Sequence, residues 1–123
     1  MKQALVLFAH GSRDPQWARP LESIATRLSE SFEVRLAYLE AMPPSLEDAL
    51  ASLVTAGASS VRVVPLFLGS GGHIKNDLPR LVAAAQAAHP GVRVQLEKPI
   101  GEERAVTDAI AAAIVNSLAR PGP

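Results

Sequence analysis

Three histidines, no cysteine and twelve acidic residues are the material from which this 123-residue chain can build chemistry. Two of the histidines stand in telling surroundings. His10 lies in "LFAHGSRDP" (7–15), where an apolar run ends on an imidazole followed by glycine, a small hydroxyl and an arginine. His73 lies in "PLFLGSGGHIKNDLP" (65–79), again shortly after an apolar run and behind Gly-Ser-Gly-Gly. Glu40 closes a third apolar run in "AYLE" (37–40). His89 precedes Pro90 at the end of a helical pattern, where an imidazole interacts favourably with the helix dipole, and it is read as structural. With no cysteine there is neither a disulfide framework nor a thiolate metal site, so a metal here must sit on imidazole, carboxylate or water.

The elements that must position these groups follow from periodicity. Four apolar runs have strand character: 4–9, 34–39, 61–68 and 92–96. The first and third are nearly continuous in Leu, Val and Phe, as expected of central parallel strands covered on both faces. The second and fourth alternate and suit the edges. Between them lie helical patterns. Trp17, Leu21, Ile24, Ala25, Leu28 and Phe32 recur at spacings of three and four, with Pro20 in the first turn. Leu46, Ala49, Leu50, Leu53 and Val54 form a second stripe, with Ser45 as N-cap and Gly57 as stop. A third helix is expected over 77–88, with Pro79 near its start, and a fourth over 102–118, carrying Val106, Ile110, Ala113 and Ile114 on one face. A frayed tail is expected over 119–123.

Strand followed by helix, four times over, predicts one α/β domain spanning 1–123. It is a flavodoxin-like three-layer fold with a four-stranded parallel sheet in the order 2-1-3-4 and helices on both faces. In such sheets ligands bind beyond the carboxyl ends of the strands, where the winding reverses, which here means the crevice between strands 1 and 3. His10, Glu40 and His73 all fall on that rim, although 30 and 33 residues separate them in sequence.

Singly, each has an ordinary explanation: a hydrogen-bonded loop histidine, a solvated strand-end carboxylate, a histidine after a tight turn. Together they mark a site able to bind a metal or move a proton. The Ser70, Gly71 and Gly72 turn exposes backbone N–H groups ahead of a helix, which makes an anion site. Ser12 and Arg13, ahead of the helix opened by Asp14-Pro15, form a second, and Lys75 and Arg80 offer either cationic reach or plain solvated charge. Neither a P-loop nor a G-x-G-x-x-G dinucleotide signature is present. The expected ligand combines something for imidazoles with peripheral anions.

Composition narrows the partners. Twelve basic residues balance twelve acidic ones, which argues against a nucleic-acid or anionic-membrane surface. The N-terminal apolar run, broken by His10 and Arg13, is too short for a signal segment or a membrane span, so a cytoplasmic protein is expected.

At this point the residues match a known family. "LFAHGSRDP", "AYLE" with a following proline, and "PLFLGSGGHIKNDLP" together resemble the small class II chelatases of sirohydrochlorin, which include the cobaltochelatases of cobalamin synthesis and the ferrochelatases of sirohaem synthesis. The match runs along essentially the whole chain, and its first and third motifs are specific. The resemblance implies a chelatase-like fold, His10 and His73 as the metal-handling histidines, and Glu40 as their acidic companion. It also implies a homodimer in which two short subunits replace the two halves of longer enzymes.

The chemistry implied agrees with the residues. Inserting a divalent ion into a tetrapyrrole requires shedding water from the metal, bending the macrocycle and removing two N–H protons. Neutral imidazoles suit Co²⁺, Fe²⁺ and Ni²⁺, and two histidines with one carboxylate leave coordination positions open, so the ion can also be released. Activity is expected to fall as pH drops through the histidine range near ~6.5, because protonated imidazole does not bind metal. His10 and His73 then serve as ligands and proton acceptors and Glu40 as assisting base. Ser12, Arg13, Ser70, Gly71 and Gly72 meet the substrate carboxylates. Leu68 and Met42 are expected in core packing, with pressing on the ring face as the other reading. No tightly bound cofactor is expected; the metal is a substrate. The competing readings are a non-catalytic tetrapyrrole or metal carrier using the same residues, and phosphohistidine chemistry, which "HGSR" fits poorly because that chemistry uses an R-H-G order.

Overall fold

The computed structural model describes residues 2–69 and 71–119. The chain runs β1 (Ala4–Ala9), a 3-10 turn (Pro15–Ala18), α1 (Arg19–Leu28), β2 (Glu33–Tyr38), α2 (Leu46–Thr55), β3 (Ser60–Pro65), α3 (Gly72–Ala88), β4 (Arg93–Leu96), a second 3-10 turn (Ile100–Glu102) and α4 (Arg104–Ala119). The sheet is parallel throughout, in the order β2-β1-β3-β4, as the strand–helix alternation predicts.

Alternation of side chains along the strands makes two cores of unequal size. Ala4, Val6 and Phe8 of β1 point to one face and join Val61, Val63 and Ala37 beneath α2 and α3, which contribute Leu46, Leu50, Leu53, Leu78, Val82 and Ala85. The opposite face carries a smaller cluster of Ala9, Ala18 and Tyr38, with Leu21 of α1, Leu36, Met42 and Leu66 packed against it. Met42 therefore has the packing role expected of it, whereas Leu68 is 70% exposed and does not belong to the core.

Helix ends follow local chemistry. Ser45 caps α2 by accepting from the Asp48 amide at 3.1 Å, and Gly57 follows that helix at φ +102°. Pro20 sits in the first turn of α1, where its missing N–H costs nothing.

Three expectations need correction. α3 begins at Gly72 rather than Asp77, with Gly71 as N-cap, so Pro79 lies inside it. Proline removes one helical hydrogen bond there, and burial of Leu78, Val82 and Ala85 under the sheet holds the helix together across it. The third strand ends at Pro65, not Leu68, because Pro65 has no N–H to donate; only the Leu66 amide carries the ladder on, to the Phe8 carbonyl at 2.8 Å. β1 is buried along its length, but β3 is not covered on both faces: Arg62 is exposed and pairs with Glu97 at 3.3 Å. Of the tail expected over 119–123, Ala119 is instead the last residue of α4, and 120–123 lie outside the described residues.

Candidate metal-handling site

β1 and β2 continue to pair past their formal ends. The Leu39 N–H donates to the Ala9 carbonyl at 2.9 Å and the Glu40 N–H to the His10 carbonyl at 3.0 Å. This two-residue extension puts positions 10 and 40 side by side on the carboxyl rim. Their side chains meet: His10 Nε2 and Glu40 Oε1 are 2.8 Å apart. Both are open to solvent, with side-chain exposures of 49% and 63%. An ionised Glu40 accepts a hydrogen bond from Nε2–H, which fixes that tautomer and leaves the Nδ1 lone pair to bind a cation or take a proton.

The backbone around the pair is specialised. Gly11 has φ +101°, and a Cβ there would lie 1.9 Å from the Glu40 carbonyl oxygen. Only glycine lets the chain turn away from His10 while staying against the β2 end. On the other strand Ala41 adopts φ +68°, an uncommon conformation for a residue with a Cβ, and turns the chain immediately after Glu40.

The remaining expected residues are placed as follows. Ser12 Oγ accepts from the Asp14 amide at 3.1 Å, and Asp14 Oδ1 accepts from Gln16 N–H at 3.0 Å, so this stretch forms the entry to the first 3-10 turn. Arg13 is exposed beside it. Gly71 and Gly72 form the start of α3, and His73 is the second residue of that helix rather than part of a free loop. Ser70 and the His73 side chain lie outside the described residues. Among the described residues, no group of three or more His, Asp or Glu side chains converges as a metal site; the His10–Glu40 contact is the part of the expected set that the geometry brings together. Arg80 is paired with Asp77 at 3.2 Å on the surface. His89 caps the end of α3 with main-chain groups: its N–H donates to the Gln86 carbonyl at 3.1 Å.

A cavity of about 230 Å³ is lined by Phe8, Tyr38, Leu39, Leu46 and Leu81 among others; neither His10 nor Glu40 lines it. Tyr38 is buried and its ring lies 6.2 Å from that of Trp17, tilted by 58°. Burial, and secondarily the Glu22 carboxylate, push its hydroxyl above the ordinary tyrosine pKa.

The profile of the CbiX family matches residues 4–117. The chain belongs to the CbiX family. It is 32% identical over 114 residues to a sirohydrochlorin ferrochelatase of Bacillus subtilis, a match covering 89% of this chain and 43% of that protein. It is 39% identical over 79 residues to a sirohydrochlorin cobaltochelatase of Saccharolobus islandicus, covering 63% of this chain and 62% of that one. The chain thus spans less than two thirds of either relative. Among solved structures, a CbiX protein from Marinobacter aquaeolei superimposes with a TM-score of 0.87 at 33% identity, covering 97% of this chain and 99% of that chain. Within this CbiX fold, sequence reading misses the left-handed Ala41. It assigns Gly11 no conformational role, whereas the positive φ of Gly11 serves a close backbone packing. The signal for Gly11 was present: a glycine directly after a strand-end histidine. For Ala41 there was none.

Proposed function

We propose that this chain inserts a divalent ion, Co²⁺ with Fe²⁺ or Ni²⁺ as alternatives, into sirohydrochlorin. His10, Glu40 and His73 are its working groups, and it acts as a homodimer. The observation that carries the reading is the 2.8 Å His10–Glu40 contact on the carboxyl rim of a CbiX-family sheet. Placing a divalent ion among four pyrrole nitrogens releases two N–H protons. With Glu40 holding Nε2–H, the Nδ1 of His10 takes one of them, and the carboxylate offsets the imidazolium charge that results. His73, whose backbone belongs to the first turn of α3, is the second imidazole of the proposed set. Imidazole suits late first-row ions without selecting sharply among them, which agrees with relatives named for iron and for cobalt.

The carboxylates of the macrocycle are met by Ser12, Arg13 and the turn at 70–72. Ser12 Oγ uses a lone pair for the Asp14 amide and keeps its O–H free to donate to a carboxylate. The homodimer is supported by size. The chain matches 43% of the Bacillus relative but 99% of the Marinobacter chain.

The test is a time course of absorbance with sirohydrochlorin and excess Co²⁺. Repeated turnover by the native chain, lost in His10→Ala and in His73→Ala without loss of fold, is the expected result. A change that stops at one equivalent identifies a carrier instead, and no spectral change at all removes the proposal.

A further inference from the structure

The loop after β3 carries an exposed leucine on a fixed main chain. Leu66 and Phe67 turn to opposite faces of the sheet, Leu66 against the smaller cluster and Phe67 against the larger. Leu68 joins neither and is 70% exposed, whereas the other exposed large apolar side chains outside α4, Trp17, Ile24 and Leu81, stay between 37% and 42%. Leaving a leucine in water forgoes burial that ordinarily stabilises a fold. Single apolar residues are common on ordinary surface, but the surroundings of this one are not ordinary.

The main chain here is clamped from both sides. The Leu66 N–H donates to the Phe8 carbonyl of β1 at 2.8 Å, and the Gly101 N–H of the second 3-10 turn donates to the Phe67 carbonyl at 2.9 Å. A Cβ on Gly101 would lie 2.1 Å from the Leu68 carbonyl oxygen and 2.3 Å from its Cα, so only glycine lets that turn press onto the Leu68 main chain. The backbone of Leu68 is thus enclosed while its side chain is presented to solvent. Its position says to what. β1 and β3 are neighbours, the winding of the sheet reverses between them, and adjacent strands lie ~4.8 Å apart. Leu68 therefore stands on the β3 side of the crevice whose other side carries the His10–Glu40 pair.

We infer that Leu68 is the residue on which the flat face of the tetrapyrrole rests. The inference rests on the reading proposed above, in which sirohydrochlorin enters this crevice, and names the contact that selects for its ring. Such a macrocycle presents two chemistries. Its periphery carries carboxylates, which Ser12 and Arg13 suit, and its face is an apolar π surface, which gains only from apolar contact. A support for that face works best when it is already fixed, because a mobile side chain and loop would have to be ordered as the ring binds. The close approach of Gly101 supplies that fixity, and the 70% exposure of Leu68 supplies the surface. Cover by a second copy of the chain is the competing use of such a leucine, and the experiment separates the two.

Equilibrium binding of metal-free sirohydrochlorin to the full chain, read from its absorbance, provides the test. Leu68→Asn keeps the size of the side chain and removes its apolar surface, and is expected to raise the dissociation constant about 10–100-fold. Leu68→Met, apolar and of similar volume, is expected to retain most of the affinity. Melting temperature and Co²⁺ binding without the tetrapyrrole should match the native chain in both variants, because an exposed side chain supports neither. In the native chain the Leu68 methyl proton resonances should move upfield when the ring is added, since its ring current shields groups lying over its face. Native affinity in Leu68→Asn, equal losses in both variants, or unmoved methyl resonances overturn the inference. So does a Leu68→Asn chain that sediments at a lower mass than the native one, which makes Leu68 a contact between copies. Should Leu68→Asn misfold, the methyl shift decides alone. Cobalt insertion on the same samples keeps the two proposals apart. Ring binding that depends on Leu68 without any insertion leaves the contact standing and sinks the activity, insertion indifferent to Leu68→Asn does the reverse, and a native chain that takes up no ring removes both.

Discussion

Two glycines with nearly the same backbone conformation isolate what holds the rim together. Gly11 has φ +101° and Gly57 has φ +102°. Replacing either by alanine incurs the left-handed penalty of about 1–2 kcal/mol. At Gly57 nothing lies within 4 Å of the added methyl, so the cost stops there. At Gly11 the methyl would sit 1.9 Å from the Glu40 carbonyl oxygen and 3.3 Å from Tyr38 Cβ. A main-chain carbonyl cannot swing aside as a flexible side chain would. Relief requires the end of β1 to move off β2, which adds about 1–3 kcal/mol of overpacking and forfeits about 1 kcal/mol from the 3.0 Å Glu40-to-His10 main-chain bond. Gly11→Ala is therefore expected to cost about 3–6 kcal/mol against about 1–2 kcal/mol for Gly57→Ala. At roughly 4 °C per kcal/mol for a chain of this size, the melting temperatures should fall by roughly 12–24 °C and roughly 4–8 °C. Urea and thermal melts followed by circular dichroism measure both. Costs that agree within about 1 kcal/mol, the size of a single hydrogen bond, would show that the Glu40 carbonyl does not confine position 11.

Four further outcomes are expected. Glu40→Gln should barely change the melt, since an exposed pair contributes only about 0.2–1 kcal/mol, but should lower turnover roughly 10–100-fold. A matching loss in metal affinity would make Glu40 a ligand only. His89→Ala should alter neither insertion nor stability, because His89 works through its main chain; slower insertion would contradict this assignment. Gln86→Ala should cost about 2–3 kcal/mol in urea unfolding, because Gln86 donates to the carbonyls of His89 and Val92 and accepts from Val94 N–H; an unchanged midpoint would deny it that clamping role. Tyr38 is held above its usual pKa by burial and then by Glu22, so the folded chain keeps the phenolic proton to higher pH than the unfolded one. Its contribution is complete below about pH 10 and lost as pH rises beyond it. Tyr38→Phe should flatten that alkaline decline, and equal declines in both proteins would remove Tyr38 as its source.

Strand order was legible because the two least interrupted apolar runs had to be central and the two alternating ones peripheral. The rim assignment of His10, Glu40 and the start of α3 followed from topology alone. The 2.8 Å contact between His10 and Glu40 did not, because it depends on register, Ala9 opposite Tyr38, which periodicity leaves undetermined. Pro79 misled the placement of α3: a proline reads as a helix opener, yet here tertiary burial outweighs its lost bond. Apolar spacing located α4 and its apolar face, but not that Ile110, Ile114 and Leu118 on it stay exposed. Gln86 was invisible for a different reason. A glutamine near a helix end looks like any solvated amide until β4 is laid against it.

The two main-chain bonds that carry β1 and β2 past their formal ends separate scaffold from chemistry. Because peptide groups, not side chains, set the distance between positions 10 and 40, the donors mounted there are exchangeable parts. A second imidazole in place of the carboxylate, or a carboxylate in place of the imidazole, would stand at the same reach on an unaltered frame. In the site proposed above, metal preference would thus drift by single substitutions at these two addresses while the architecture beneath stays put.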